Sequence, residues 1–139
     1  YPYGIHGRSG QETPVQLPFH EESSGTRAAF SLLAEVLLVL ETGGLLVYDE
    51  LDSDLHPMML KTLLDLFASD ATNPNHAQVI FTTHQVDVLN VLQKSQVMLV
   101  EKDGHESQAW RLDELKGVRS DDNRVSKYLA GAYGALPRL

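Results

Sequence analysis

Four residues, Leu45-Leu46-Val47-Tyr48, constrain the fold of this chain more than any other stretch. They follow Gly43-Gly44 and run straight into Asp49-Glu50. A short, unbroken apolar run opened by glycines predicts a strand buried on both faces, as in a parallel sheet flanked by helices. Two adjacent carboxylates then fall where the strand runs out. Ligands of open α/β sheets bind at the carboxyl ends of strands. Asp49 and Glu50 are therefore candidates for holding a divalent cation and for polarising a water. A plain acidic turn after a core strand accounts for the same residues, so the neighbouring stretches matter.

Ahead of that strand, Glu22-Ser23-Ser24-Gly25-Thr26 precedes a segment rich in Ala and Leu that runs to about Leu40. Ser23 or Ser24 suits an N-cap, so a helix starts here. Exposed N–H groups and small residues at its start make a place for a phosphate, although capping alone explains two serines. Behind the strand, His56-Pro57 fits the entry of a second helix. Met59, Leu60, Leu63, Leu64, Leu66 and Phe67 repeat with helical spacing to about Ala68, and Met58 and Met59 read as packing residues. Gln78-Val79-Ile80-Phe81-Thr82-Thr83-His84 is a second strand of the same style, and it ends in a histidine. A strand-end histidine is commonly structural. Here it would share a sheet edge with Asp49 and Glu50, where it suits contact with a terminal phosphate. A third strand over 97–101, a hairpin partner over 108–112 and a short helix over 121–130 complete the pattern. Residues 131–137 close it without regular structure.

The bulk properties remove other classes. A net charge of −8 argues against broad electrostatic binding of nucleic acid by this chain alone. The absence of cysteine excludes disulfides and thiolate metal sites and is compatible with a cytoplasmic location. Ser31 and Glu35 interrupt the longest apolar stretch, so no membrane span is expected, and no signal peptide is expected at the opening of the chain. His6, His20, His76 and His105 share no ligand spacing and are assigned no metal. The first residue is Tyr1, and none of the glycine clusters, Gly4 to Gly10 included, ends in Lys-Ser or Lys-Thr as a phosphate-binding P-loop does. The chain is therefore expected to be a single partial domain, residues 1–139, of a longer protein.

Taken in order, these pieces resemble the second half of an ABC-type P-loop ATPase head. The serine-glycine helix start matches the signature motif, the Asp-Glu strand the Walker B segment, Leu51-Asp52-Ser53-Asp54-Leu55-His56 the D-loop, and His84 the switch histidine. The usual signature leucine is Glu22 here, and the usual glutamine is Thr26. Glu-Ser-Ser-Gly-Thr, Asp-Glu-Leu-Asp-Ser-x-Leu-His-Pro and Phe-Thr-Thr-His further resemble the AbiLii/RloA-like ATPases of abortive-infection and restriction loci. The tail Tyr128-Leu129-Ala130-Gly131-Ala132-Tyr133-Gly134-Ala135-Leu136-Pro137 is similar to the ending of that group, with Ala132 in place of an arginine. Ser95 likewise stands where an aspartate is expected.

The resemblance implies an α/β fold, a mostly parallel sheet flanked by helices, forming the part of the head that lacks Walker A. It implies ATP and Mg²⁺ as cofactors. Asp49 takes the metal role, Glu50 and His84 the catalytic roles, and Ser23, Ser24, Gly25, Ser53 and Asp54 contact nucleotide. It implies as partners the Walker A portion of the same protein and a second copy in an ATP-dependent homodimer, together with an effector nuclease or nucleic acid and no membrane. Alternative readings are a non-catalytic interaction or dimerisation module and a nucleic-acid-processing ATPase of the SMC or OLD kind. A metal-dependent nuclease built on Asp49, Glu50, Asp52 and Asp54 is disfavoured, because four acids at one strand end bring neither a second metal-facing strand nor an aligned lysine.

Overall fold

Helix α1 (Ser24–Thr42) carries the first half of the molecule. Ser23 is its N-cap, and its Oγ accepts from the Thr26 amide at 3.1 Å. Ala29, Leu32, Val36 and Leu40 form the buried stripe expected of a helix packed on one face. The helix ends at Gly43, which takes a left-handed conformation with φ 73°. A side chain there would also collide with Asn75, whose carbonyl oxygen lies 2.5 Å from the position of a Cβ. Asn75 Nδ2 donates to the carbonyls of Glu41 at 2.8 Å and Leu40 at 3.3 Å, so the loop across the turn completes the helix end.

The computed structural model describes residues 2–7, 14–53, 55–119 and 121–136, and these divide into two compact units, residues 1–84 and 85–139. In the first unit a hairpin of β1 (Tyr3–His6) and β2 (Val15–Pro18) precedes α1. Strand β3 (Leu45–Tyr48), helix α2 (Pro57–Ala68) and strand β4 (Gln78–Phe81) follow. Strands β3 and β4 pair in parallel, Leu45 with Gln78 through Tyr48 with Phe81. Helix α2 starts as its sequence dictates: Pro57 occupies the first turn, and His56 Nδ1 accepts from the Met58 amide at 3.3 Å.

The loop from α2 to β4 is organised by Asn73, which is 6% exposed. Its Nδ2 donates to the carbonyls of Phe67 and Ala77, both at 2.9 Å, and its Oδ1 accepts from the Ala77 amide at 2.7 Å. One side chain thus supplies what the backbone of this tight return would otherwise leave unpaired in the core.

The second unit holds a short helix α3 (Val88–Val91), a hairpin of β5 (Met98–Asp103) and β6 (Glu106–Arg111), and α4 (Arg124–Leu129). Its core is Leu89, Val97, Leu99, Leu112, Val118 and Tyr133. The tail is folded into it. Trp110 Nε1 donates to the Tyr133 carbonyl at 3.2 Å, and Tyr128 Oη donates to the Ala135 carbonyl at 2.8 Å. Gly134, at φ 72°, fits under the Trp110 ring, where a Cβ would come within 3.0 Å of the indole. Lys127 Nζ at 2.6 Å, then the Arg119 amide at 2.8 Å, hold the Asp122 carboxyl below its ordinary pKa.

Two expectations change. The described residues form three two-stranded sheets, one parallel and two antiparallel, in place of one mostly parallel sheet. Strand β5 pairs antiparallel with β6, the hairpin partner that the sequence predicts, because the tight turn at Gly104 returns the chain at once. Strand β3 is also covered on one face only: Leu46 is buried at 7% exposure, whereas Leu45 and Val47 are 52% and 67% exposed. Ile80 of β4, paired with Val47, is 59% exposed on the same face. Helix α1 packs against β3, and among the described residues of this unit no second layer covers the opposite face. The mixed α/β character holds.

Asn73→Ala is expected to lower the unfolding free energy by about 2–4 kcal/mol, since it strands a buried amide and two carbonyls. Urea denaturation at neutral pH measures this, and a change under about 0.5 kcal/mol would contradict the role given to Asn73.

Candidate functional site

The parallel pairing of β3 and β4 continues beyond the last strand residues. The Thr82 amide donates to the Tyr48 carbonyl at 3.1 Å, and the Leu51 amide donates to the Thr82 carbonyl at 3.0 Å. Asp49 and Glu50 on one chain segment therefore lie beside Thr82, Thr83 and His84 on the other. Glu50 Oε1 and His84 Nε2 are 3.7 Å apart, with both side chains largely exposed. An exposed pair of this kind contributes little to stability. The acids and the histidine lie on one rim, at the same end of the β3–β4 pair.

Thr82 is the member that the motifs did not single out. The Glu50 amide donates to its Oγ1 at 2.7 Å, and the hydroxyl in turn donates to Asp49 Oδ1 at 2.5 Å. Asp52, named in the sequence only within the D-loop stretch and the disfavoured nuclease reading, has a role of its own: its Oδ1 accepts from the His84 amide at 3.3 Å. The acid run after β3 thus places the histidine through its backbone. Neither role was legible in the sequence, because each depends on the register between two strands about thirty residues apart. The only signal was the hydroxyl-rich Thr82-Thr83 just before the histidine.

Glu50 takes a left-handed backbone conformation, φ 50°. Such a conformation costs a non-glycine residue roughly 1–3 kcal/mol and persists where the surroundings enforce it, often at working sites. Here the Thr82 hydroxyl and carbonyl bracket the residue by bonding the amides of Glu50 and Leu51.

Ser23, Ser24 and Gly25 sit at the start of α1, as expected of a capping sequence. The Ser23 hydroxyl is engaged by the Thr26 amide and lies 2.8 Å from Thr26 Oγ1. Just before it, Glu22 is buried at 8% exposure, and its Oε1 lies 2.7 Å from His6 Nε2. Its carboxylate occupies the space above Gly4, where a Cβ would sit 1.8 Å from Oε1. The acid that replaces the usual signature leucine is therefore the tie between the β1–β2 hairpin and the entry of α1. Farther along α1, Ala28 and Leu32 line a small cavity of about 30 Å³ together with Tyr48, Glu50, Leu51, Ser53 and Leu55. Ser53 is thus beside Glu50, whereas Asp54 lies outside the described residues. Among the described residues no group of three or more His, Asp and Glu side chains is arranged to hold a metal ion by itself.

Glu50→Gly relieves the left-handed strain but frees the unfolded chain, so its stability is expected to match the parent or exceed it by up to about 1 kcal/mol. Thermal and urea unfolding report this. A loss above about 1 kcal/mol would show that the glutamate conformation is unstrained.

No curated protein matches the chain, and no solved structure does. No helix among the described residues is long and apolar enough to cross a membrane. A family model described as "AAA domain, putative AbiEii toxin, Type IV TA system" matches residues 12–90, more than half of the chain. That span includes Ser23 to Thr26, Asp49 to Ser53 and His84, the residues whose geometry has just been given. The chain belongs to this family and carries an AAA-type, ATPase-like domain.

Proposed function

We propose that the chain is the signature, Walker B and switch-histidine part of an ABC-type ATPase head that binds and hydrolyses ATP. The observation that carries this reading is the common rim. Two parallel strands deliver Asp49, Glu50 and His84 to one end of the sheet, with Glu50 and His84 at 3.7 Å. Nucleotides bind at such strand ends in α/β folds.

Mg²⁺ fits the donor set. Asp49 offers a hard carboxylate oxygen, with Oδ1 engaged by Thr82 and Oδ2 the oxygen not committed to that bond. One carboxylate beside substrate phosphates and waters is the usual way proteins hold this ion. Bound there, the ion would supply positive charge to the phosphates of ATP.

The protein's own groups do the rest. The Glu50 carboxylate, held by a fixed backbone, orients the attacking water and accepts its proton. His84 donates a hydrogen bond to the terminal phosphate. Ser23, Ser24 and Gly25, with the amides opening α1, contact the phosphates of a site on a second copy, and the D-loop residues Ser53 and Asp54 are assigned to nucleotide contact as well. Each site is then composite, and a two-fold homodimer closes two of them. The P-loop belongs to a portion of the protein outside these residues. The single covered face of β3 and β4 supports that assignment, since an apolar parallel pair requires cover on both sides. The family description, which names a "putative AbiEii toxin, Type IV TA system", supports a toxin–antitoxin or abortive-infection setting for such a head. A nuclease or nucleic acid is then the downstream partner, and the cytoplasm the location.

In the intact protein, Glu50→Gln is expected to keep ATP affinity within about threefold and to lower turnover by at least about a hundredfold. It should also trap a nucleotide-bound dimer, visible by light scattering. The 139-residue chain alone should hydrolyse no ATP. Unchanged turnover in the variant removes Glu50 from its role, and robust hydrolysis by the chain alone overturns the division of labour.

A further inference from the structure

We infer that Thr82 is a positioning residue of this site, one hydroxyl fixing both the carboxylate that faces the cation and the backbone of the glutamate that handles water. The inference rests on the ATPase reading for its purpose, while the geometry stands by itself.

The direction of both hydrogen bonds follows from chemistry. The Glu50 amide can only donate, so Thr82 Oγ1 accepts from it, at 2.7 Å. The single hydroxyl proton is then left for Asp49 Oδ1, at 2.5 Å, the length of a charge-assisted bond to an ionised carboxylate. Asp49 is thereby oriented by one oxygen and presents the other. Glu50 is oriented by its amide, which holds the φ of 50°. The Asp49 carboxylate and the Glu50 backbone, neighbours that must act in register, are pinned to the same atom.

Strand pairing does not require this hydroxyl. The Thr82 amide and carbonyl already bond Tyr48 and Leu51 and complete the parallel ladder at this point. Asp49, Glu50 and Thr82 are all exposed, and exposed hydrogen bonds add little net stability. A residue kept only for the fold would serve equally well as valine, which has the same shape and a higher strand preference. The hydroxyl is in excess of what the fold needs and matches what a cation-and-water site needs. Partners that orient a metal-binding side chain commonly change metal affinity about 10- to 100-fold when removed.

The test compares Thr82→Val with Thr82→Ser by amide exchange in the 139-residue chain and by Mg²⁺ titration of ATP hydrolysis in the intact protein. In Thr82→Val the Glu50 amide is expected to exchange at least about tenfold faster. The Leu51 amide, bonded to the Thr82 carbonyl, should keep its protection, and the melting temperature should hold. The Mg²⁺ concentration for half-maximal activity should rise about tenfold or more, with KM for ATP at saturating Mg²⁺ much less affected. Thr82→Ser should return both readouts to within about threefold of the parent. Unchanged Glu50 exchange in Thr82→Val overturns the inference, and so does a serine variant as impaired as the valine one. An intact parent that hydrolyses no ATP sinks the ATPase reading instead, and the exchange comparison then decides the role of Thr82. If Thr82→Val unfolds, Thr82→Ser carries the test, and loss of Glu50 protection in that folded variant overturns the inference.

Discussion

Everything proposed for this chain depends on the parallel register of β3 and β4. With Tyr48 opposite Phe81, the next residues on each strand meet at the rim, and the ladder extends through Thr82 to Leu51. Side chains alternate along a strand, so a slip of one residue would turn the whole set to the other face. The register is held from outside the strands as well. Asn73 fixes the return from α2, and Asn75 ties that return to the end of α1 at Gly43. Packing devices at one end of the sheet thus set the chemistry available at the other.

The elements of the fold were largely legible. Capping serines, Pro57 at a helix start and the helical spacing of Leu60, Leu63 and Leu64 read correctly, as did the hairpin of β5 and β6. The sheet did not. The apolar character of Leu45, Val47 and Ile80 states what these residues need and says nothing of where the cover comes from. The expectation of two buried faces failed on that distinction. The tail was read as irregular, and it is, but Tyr133 reaches into the core of its unit and Gly134 makes room for Trp110. Its glycine and tyrosine pattern is explained by packing before any partner is invoked.

At the site, the charged residues announced themselves and the neutral ones did not. An Asp-Glu pair at a strand end and a distant histidine form a visible pattern. A threonine beside a strand has many ordinary reasons to be there, and only the register shows its hydroxyl between Asp49 and Glu50. Glu22 carries a hidden role of the same kind. The sequence shows it only as the residue that stands in place of the usual signature leucine, and the structure makes it a buried tie to His6. Its burial depends on the missing side chain of Gly4, and its partner His6 lies sixteen residues away, a contact that no local pattern encodes. The left-handed turn at Glu50 is of the same kind, since a glutamate gives no hint of positive φ.

The central claim is that one nucleotide-bound cation sits at the rim shared by residues 49, 50 and 84. Paramagnetic broadening by Mn²⁺ with a non-hydrolysable ATP analogue, read on the backbone amide signals of the intact protein, measures this most directly. Broadening should be strongest at Asp49 and Glu50 and at Thr82 to His84, and it should disappear in Asp49→Ala. Broadening centred elsewhere in the chain, or unchanged in that variant, would contradict the claim.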